Sequence, residues 1–283
     1  MRWKLSYREA SGFSKAVVWT GGGIVLLFLL TALLSPWLVP YNPVDYEENQ
    51  PYTSPGSQNW MGTTKLGYDV FSRLLAGSRI AFTVILLATS FAMFIGLPLG
   101  LISGYSRGKM DRFLVMVMDS VYAFPSLLLA ITVAALLGRG VVNAALAISV
   151  VYIPQYFRVI RNHVLSVREE VYVEAARGLG ASRRIILQKY ILFNVIQSVP
   201  VILTLNAADA ILTLAGLGFL GYGVTPPTPE WGYDLSKAMG DFASGIWWTS
   251  FFPGVFIVFL TLGFSLLGEG LNDLLNPLLR GKK

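Results

Sequence analysis

Cysteine is absent from the 283-residue chain, and histidine occurs once, at His163. The first absence excludes disulfides and thiolate metal sites, and the second leaves no set of imidazoles from which to build a metal centre. Charge is scarce as well. Asp, Glu, Lys and Arg make up 13% of the residues, against roughly 25% in an ordinary soluble domain. No G-x-x-x-x-G-K-[ST] phosphate loop occurs, so the chain does not bind and split ATP by that route. What is abundant is apolar: 54% of the residues are hydrophobic and the mean hydropathy is +0.59. This is the composition of a membrane protein.

A bilayer core about 30 Å thick takes about 20 mostly apolar residues per helix. Six windows meet that length: Val17 to Val39, Ile80 to Ile102, Phe113 to Leu137, Val141 to Ile160, Ile191 to Leu220 and Trp247 to Leu267. Their continuous runs argue against a β-barrel, whose strands alternate over about ten residues. The expected fold is therefore an all-α membrane protein of six transmembrane helices. The fifth window exceeds one crossing and holds Asn194, Gln197, Pro200, Asn206 and Asp209, which predicts a kink or a part outside the hydrocarbon. The first window follows Arg2, Lys4, Arg8 and Lys15, but its apolar run is too long for a signal peptide and no A-x-A pattern follows, so it reads as an uncleaved span.

A net charge of +6 invites a nucleic-acid reading, and the placement of the 22 basic residues decides against it. Arg2, Lys4, Arg8 and Lys15, then Arg107, Lys109 and Arg112, then Arg158, Arg161, Arg168, Arg177, Arg183, Arg184 and Lys189, and finally Arg280, Lys282 and Lys283 fall on one side of the six spans. Only Lys65, Arg73, Arg79, Arg139 and Lys237 fall on the other. The positive-inside rule then places both termini in the cytoplasm, so topology accounts for the charge. The expected organisation is a cytoplasmic start (1–16), a first span (17–39), an outer loop (40–79), a transmembrane domain (80–271) and a cytoplasmic tail (272–283). Within the transmembrane domain lie a cytoplasmic loop (161–190) and an outer loop (221–246).

The cytoplasmic loop contains EEVYVEAARGLGASRRIILQKY, Glu169 to Tyr190, which is too polar to cross a membrane. Ser166 and Glu169 fit a capping box, predicting a helix from about Val167. Val171, Ala175 and Leu179 would share one face, and Glu174 would pair with Arg177. Gly178 and Gly180 suit a C-terminal turn with positive φ, after which Ser182 caps a second helix. Arg183 and Arg184 at that helix start oppose its dipole and call for lipid phosphate or an acidic partner. On these residues alone, a plain interfacial hairpin joining two spans accounts for the loop equally well.

Glu174-Ala175-Ala176, three further residues and Gly180, followed by an Ile-Leu run into a span, resembles the "EAA" loop of ABC-importer permeases. GTTKLGYDVFSRLLAGSRI (Gly62 to Ile80) is similar to the G-T-D-x-L-G-R-D-x-x-S-R segment of the dipeptide/oligopeptide (DppC/OppC-type) permease family, C-type subunit. GFLGYGVTPPTPEWG (Gly218 to Gly232) and FFPGVFIVFLTLGFSLLGEGLND (Phe251 to Asp273) resemble its outer loop and last span. The chain departs from the family pattern at Thr64, Tyr68, Phe193 and Leu214. The resemblance implies an N-terminal span added to a five-helix type I ABC-importer (MetI-like) core in a bacterial or archaeal plasma membrane. Its implied partners are a B-type permease, two ABC ATPase subunits that carry the ATP and Mg, an extracytoplasmic solute-binding protein and membrane lipid, with no nucleic acid and no cofactor in this chain. The implied role is passage of di- or oligopeptides driven by ATP hydrolysis on the partners, with oligosaccharides or nickel complexes as the alternative cargo. Glu174, Ala175, Ala176, Gly178 and Gly180 would form the ATPase-coupling surface.

Asp119 and Asp209 fall inside predicted spans, where a charge costs about 2.5 to 3.5 kcal/mol on insertion scales. Together with Asn206, one turn before Asp209, they either bond to neighbouring helices or the partner permease, or line the path. Pro125 and Pro200 are expected to kink their helices, and Trp247-Trp248 to sit in an interfacial aromatic belt. The two aspartates also raise an intramembrane aspartyl protease or an ion-coupled secondary transporter. However, both Gly-Tyr-Asp triplets, Gly67 to Asp69 and Gly232 to Asp234, fall in outer loops, where a protease of that kind has no use for them.

Overall fold

A computed structural model describes residues 12–45, 49–106 and 108–275. The basic residues Arg2, Lys4, Arg8, Arg107, Arg280, Lys282 and Lys283, and most of the expected termini, lie outside the described residues. Among the described residues the repeating structure is helical, apart from one antiparallel bridge between Thr63 and Asp69. Long apolar helices are α1 (Gly12–Leu38), α2 (Val70–Ser106), α5 (Val141–Val167), α7 (Arg183–Phe219) and α9 (Trp248–Leu275). Between them lie α3 (Lys109–Tyr122), α4 (Ser126–Leu137), the short α6 (Val171–Gly178) and, at the opposite end of the bundle, α8 (Trp231–Lys237).

The most extensive helix contact joins α2 to α5. Ala88, Ala92, Gly96, Gly100 and Gly104 recur every four residues on α2 and are all buried. On α5 the matching row is Ala144, Ile148, Tyr152, Tyr156, Ile160 and Val164, also buried. A Cβ on Gly96 would stand 2.6 Å from Tyr156 Cβ, one on Gly100 2.8 Å from the Phe157 carbonyl oxygen, and one on Gly104 2.7 Å from Val164 Cβ. Small residues let two backbones approach where lipid gives no hydrophobic drive for association.

That register also fixes topology. Contacts advance together along both helices, so α2 and α5 run parallel, and residues 107–140 must carry the chain back across the bundle. The α3–α4 pair is therefore a single crossing broken by a 90° bend, giving six crossings in all. Pro125 lies at the break, as the residue preceding α4, and ends the helical course rather than kinking it: its ring blocks continuation and biases Phe124 away from helical backbone.

Helix α2 starts ten residues before the apolar window, so Arg73 belongs to a helix and not to a loop. Helix α7 is irregular where the sequence predicted trouble, with a π turn at Ile186–Ile191 and a 3-10 turn at Ile196–Ser198 before regular helix from Val199 to Phe219. Pro200 sits in the first turn of that regular part and opens it, where no N–H is missed, rather than kinking it. Helix α1 runs antiparallel to α9, with Gly21 against the backbone of Gly263 and Leu267.

The Gly100 position makes this contact testable, because the obstruction is a backbone carbonyl that no rotamer relieves. Gly100→Ala should destabilise the solubilised protein by about 1–3 kcal/mol, the usual cost of overpacking, and Gly100→Leu by more. Unchanged thermal unfolding of both variants would show that α2 and α5 do not pack as described.

Candidate functional site

Three regions hold the functional candidates. At the end of the bundle where the cytoplasmic loop was expected, α5 runs through Val167, and the predicted capping box does not form. Arg168 is the reason: its Nη1 donates to the Gly104 carbonyl at 2.6 Å, capping the end of α2, and its Nε takes the Glu169 carboxylate at 3.1 Å. With Glu169 so engaged, α6 starts at Val171 without a side-chain cap. Its C-terminus is a Schellman turn, with Gly180 N–H donating to Arg177 O and Ala181 N–H to Ala176 O. Of the two glycines, Gly180 takes the positive φ, +79°, while Gly178 remains in the helix. Ser182 accepts from Ile185 N–H, as its spacing predicted. Among the described residues, Glu174 and Arg177 form no ion pair: the two side chains are exposed and point into solvent-accessible space.

One edge of α6, Val173 and Ala176, is buried and packs beside the π turn of α7. The opposite edge is bare. Val171 is 79% exposed and Leu179 88%, with exposed Ala175 between them, so a three-residue apolar strip on α6 lacks any cover among the described residues. Glu174 is exposed alongside.

The outer side holds an assembly that sequence reasoning missed. Arg73 grips Asp234 through Nε and Nη2, the shortest contact being 2.7 Å, and its Nη1 donates to the carbonyls of Pro43 and Pro227. Asp69 opens α2 by accepting from Ser72 N–H at 2.8 Å and from Asn59 Nδ2 at 2.9 Å. Glu230 opens α8 by accepting from Gly232 and Tyr233 N–H. It lies so close to Gly218 that any Cβ there would overlap it. Trp231 Nε1 donates to Leu74 O, and Trp248 Nε1 to Thr63 O. Trp248 is thus a buried strut, and only Trp247 retains the exposed character expected of an interfacial belt. Both Gly-Tyr-Asp triplets are structural, since Asp69 caps a helix and Asp234 neutralises Arg73. Arg73, Asp69, Glu230 and Trp231 stood in the two quoted outer motifs and Asp234 two residues beyond the second, but nothing in either motif names its partner in the other.

At mid-bundle the structure separates the predicted polar residues. Asp119 on α3 pairs with Arg158 on α5 at 2.7 Å, and that guanidinium stacks on Tyr122. Asn206 and Asp209 lie instead on α7, facing α5. There Tyr152 Oη and Thr213 Oγ1 are 3.2 Å apart, and Asn206 lies beside Tyr156. Among the described residues no cluster of three or more His, Cys, Asp or Glu residues is arranged to hold a metal.

Comparison with known proteins agrees with this arrangement. Residues 96–281 match the model of the family described as binding-protein-dependent transport system inner membrane component, and residues 13–55 that of the N-terminal TM domain of oligopeptide transport permease C. The chain is similar to the glutathione transport system permease protein GsiD of Pectobacterium atrosepticum, 37% identical over 92% of this chain and 86% of that one. It is 36% identical to the same-named protein of Escherichia coli over 93% of this chain and 86% of that one. The fold resembles that of a solved structure of the MetNI methionine ABC transporter, with a TM-score of 0.58 over 70% of this chain and 94% of the other at 18% identity.

Two outcomes follow for the outer assembly. Arg73→Ala strands the Asp234 carboxylate in a buried site and should cost about 3–5 kcal/mol, with Arg73→Ala/Asp234→Ala costing less than the sum of the single changes. Thermal unfolding of the four proteins measures this, and strict additivity would contradict the pairing. Burial pushes the Glu230 carboxyl up to about 8 from an ordinary 4.5, against the pull of the Gly232 and Tyr233 N–H groups. A raised value means the protonated form favours the fold. Its contribution is complete below the ordinary value and is lost as pH rises through the raised one. Melting temperature should therefore fall between pH 5 and pH 9, and Glu230→Gln should flatten that slope.

Proposed function

The chain belongs to the family of binding-protein-dependent transport system inner membrane components, a multi-pass permease of an ABC importer, and on that premise we propose that α6 is its coupling element and peptides its solutes. The observation that carries the first part is the bare Val171, Ala175 and Leu179 strip on α6, flanked by Glu174 and stopped by Gly180. An apolar helix face on a soluble side calls for a groove on another protein. In this reading the groove belongs to an ABC ATPase subunit that holds the ATP and Mg. Glu174 pairs with a basic residue there, Ala175 allows close approach, and Gly180 sets the angle at which α6 meets α7.

Two ATPase subunits, a B-type permease and an extracytoplasmic solute-binding protein complete the machine, with both termini of this chain in the cytoplasm. Closure of the ATPase pair displaces α6 as a rigid body. The displacement passes to α7 through the buried Val173 and Ala176 edge and to α2 through the Arg168 cap, switching the bundle between inward-open and outward-open states. The outer assembly around Arg73 holds the far ends of α2, α8 and α9 fixed, so motion at one end becomes a change of access rather than translation of the whole chain. Exposed Arg183 and Arg184 face the same cytoplasmic surface and take lipid phosphate or acidic groups of the partner.

Peptides are proposed as solutes because the relatives named above are glutathione transport system permease proteins, and glutathione is a tripeptide. In the assembled importer, Glu174→Arg or Gly180→Leu should abolish ATP-driven uptake while membrane insertion and ATP hydrolysis persist. Gly180→Leu places a side chain at φ +79°, so its own strain is about 1–2 kcal/mol, small enough for the fold to survive. Normal coupled uptake by both variants would overturn the coupling role.

A further inference from the structure

The aspartates of α3 are both neutralised from α5: Asp111 by Arg161 at 2.7 Å and Asp119 by Arg158 at the same distance. Asp209 on α7 has no such partner. Among the described residues its carboxylate meets neither a cation nor a hydrogen-bond donor, and it is exposed on the flank of the chain. Two further polar groups lie beside it. Asn206 Nδ2 and Tyr156 Oη are buried, with Asn206 2% exposed and Tyr156 fully enclosed, and they face each other without closing a hydrogen bond of good geometry. All three belong to one contact, because Tyr156 stands opposite Asn206 and Tyr152 opposite Thr213, with Asp209 on the turn between. Tyr152 lies about 16 Å along α5 from Val141 at ~1.5 Å per residue, close to the middle of a bilayer core.

Resting on the importer reading above, we propose that Asp209, Asn206, Tyr152 and Tyr156 form a subsite in the transport path that takes a primary ammonium, the amino terminus of a peptide-type solute. A carboxylate held at mid-membrane without a cation is complementary to a mobile one. An ammonium brings three N–H donors: the exposed Asp209 carboxylate accepts first, and the Asn206 carbonyl and a tyrosine hydroxyl, enclosed in the α5–α7 contact, accept the others when the change of access state parts those two helices. The Asn206 amide N–H and the Tyr156 O–H remain to donate to the first carbonyl of the solute. A solute lacking the amine leaves Asp209 unpaired and is passed less well.

The native chain has no cysteine, so single thiols report cleanly. Leu212 is 50% exposed and one turn beyond Asp209 on the same face. In the assembled importer, Leu212→Cys is treated with 2-aminoethyl methanethiosulfonate, a primary ammonium, and with the anionic 2-sulfonatoethyl reagent, and the rates are read from the mass shift of this chain. The ammonium reagent should react at least about 10-fold faster, the range expected of a focused carboxylate field. Asp209→Asn should bring the two rates together, and Asp209→Glu should keep them apart. Equal rates with Asp209 present, or a difference that Asp209→Asn leaves intact, overturns the ammonium subsite. Absence of labelling by either reagent overturns it too, since the face would then be sealed by lipid or by the partner. None of these results touches the coupling role of α6, which uptake by the Glu174 and Gly180 variants tests separately.

Discussion

In hydrocarbon each helix satisfies its own backbone, and lipid tails are as apolar as leucine, so neither hydrogen bonding nor hydrophobic transfer selects which helices meet. Close backbone approach does. The four-residue spacing of Ala88, Ala92, Gly96, Gly100 and Gly104 gives α2 a flat face, and α5 supplies the row from Ala144 to Val164 that fills it. The rest of the architecture hangs from this pair. Their parallel course forces a crossing between them, and the break at Pro125 allows that crossing to be made from two short helices. Arg168 then fastens the lower ends together by giving its guanidinium to the last carbonyls of α2, where a cation complements the helix dipole.

The two rims of the bundle are built differently, and the difference suits a machine driven from one end. The outer rim is a closed network: Arg73 joins four segments, Glu230 and Asp69 open two helices, and Trp231 and Trp248 each donate to a backbone carbonyl of α2 or the turn before it. The rim at α6 is looser. Helix α6 touches the rest through a narrow edge, and α7 below Val199 is a sequence of π and 3-10 turns rather than one regular helix. Irregular turns of this kind often mark a hinge. Under the proposed coupling role, force applied at α6 would meet this irregular segment before the outer network.

Much of this was legible in the sequence, for physical reasons that differ from element to element. Continuous apolar runs mark spans because the bilayer imposes a length. The irregular stretch of α7 announced itself through Asn194, Gln197 and Pro200. What stayed hidden was pairing. Arg73 and Asp234 are 161 positions apart and each looks like an ordinary loop charge until α2 is seen to begin at Val70. Ser166 and Glu169 satisfied a local rule that lost to a longer-range one, since Arg168 draws Glu169 away. Trp248 read as an interfacial aromatic because local sequence carries no sign of the Thr63 carbonyl beneath it. Tyr152 and Tyr156 were passed over inside an apolar run, although their four-residue spacing places both on the face that α7 meets.

The distribution of unsatisfied groups separates what this chain does for itself from what it offers to others. Arg73 with Asp234, Arg161 with Asp111 and Arg158 with Asp119 have found partners within the chain. Among the described residues a few buried groups are left over, Asn49 Nδ2 and Thr261 Oγ1 among them. Two places bear on function: on α6 an apolar strip is exposed, and on α7 the Asp209 carboxylate stands without a cation beside the facing Asn206 amide and Tyr156 hydroxyl. Neither deficit helps the isolated chain to fold. In the proposed importer they are where a driving subunit and a passing solute would stand, and the segment of α7 that joins them is the irregular one.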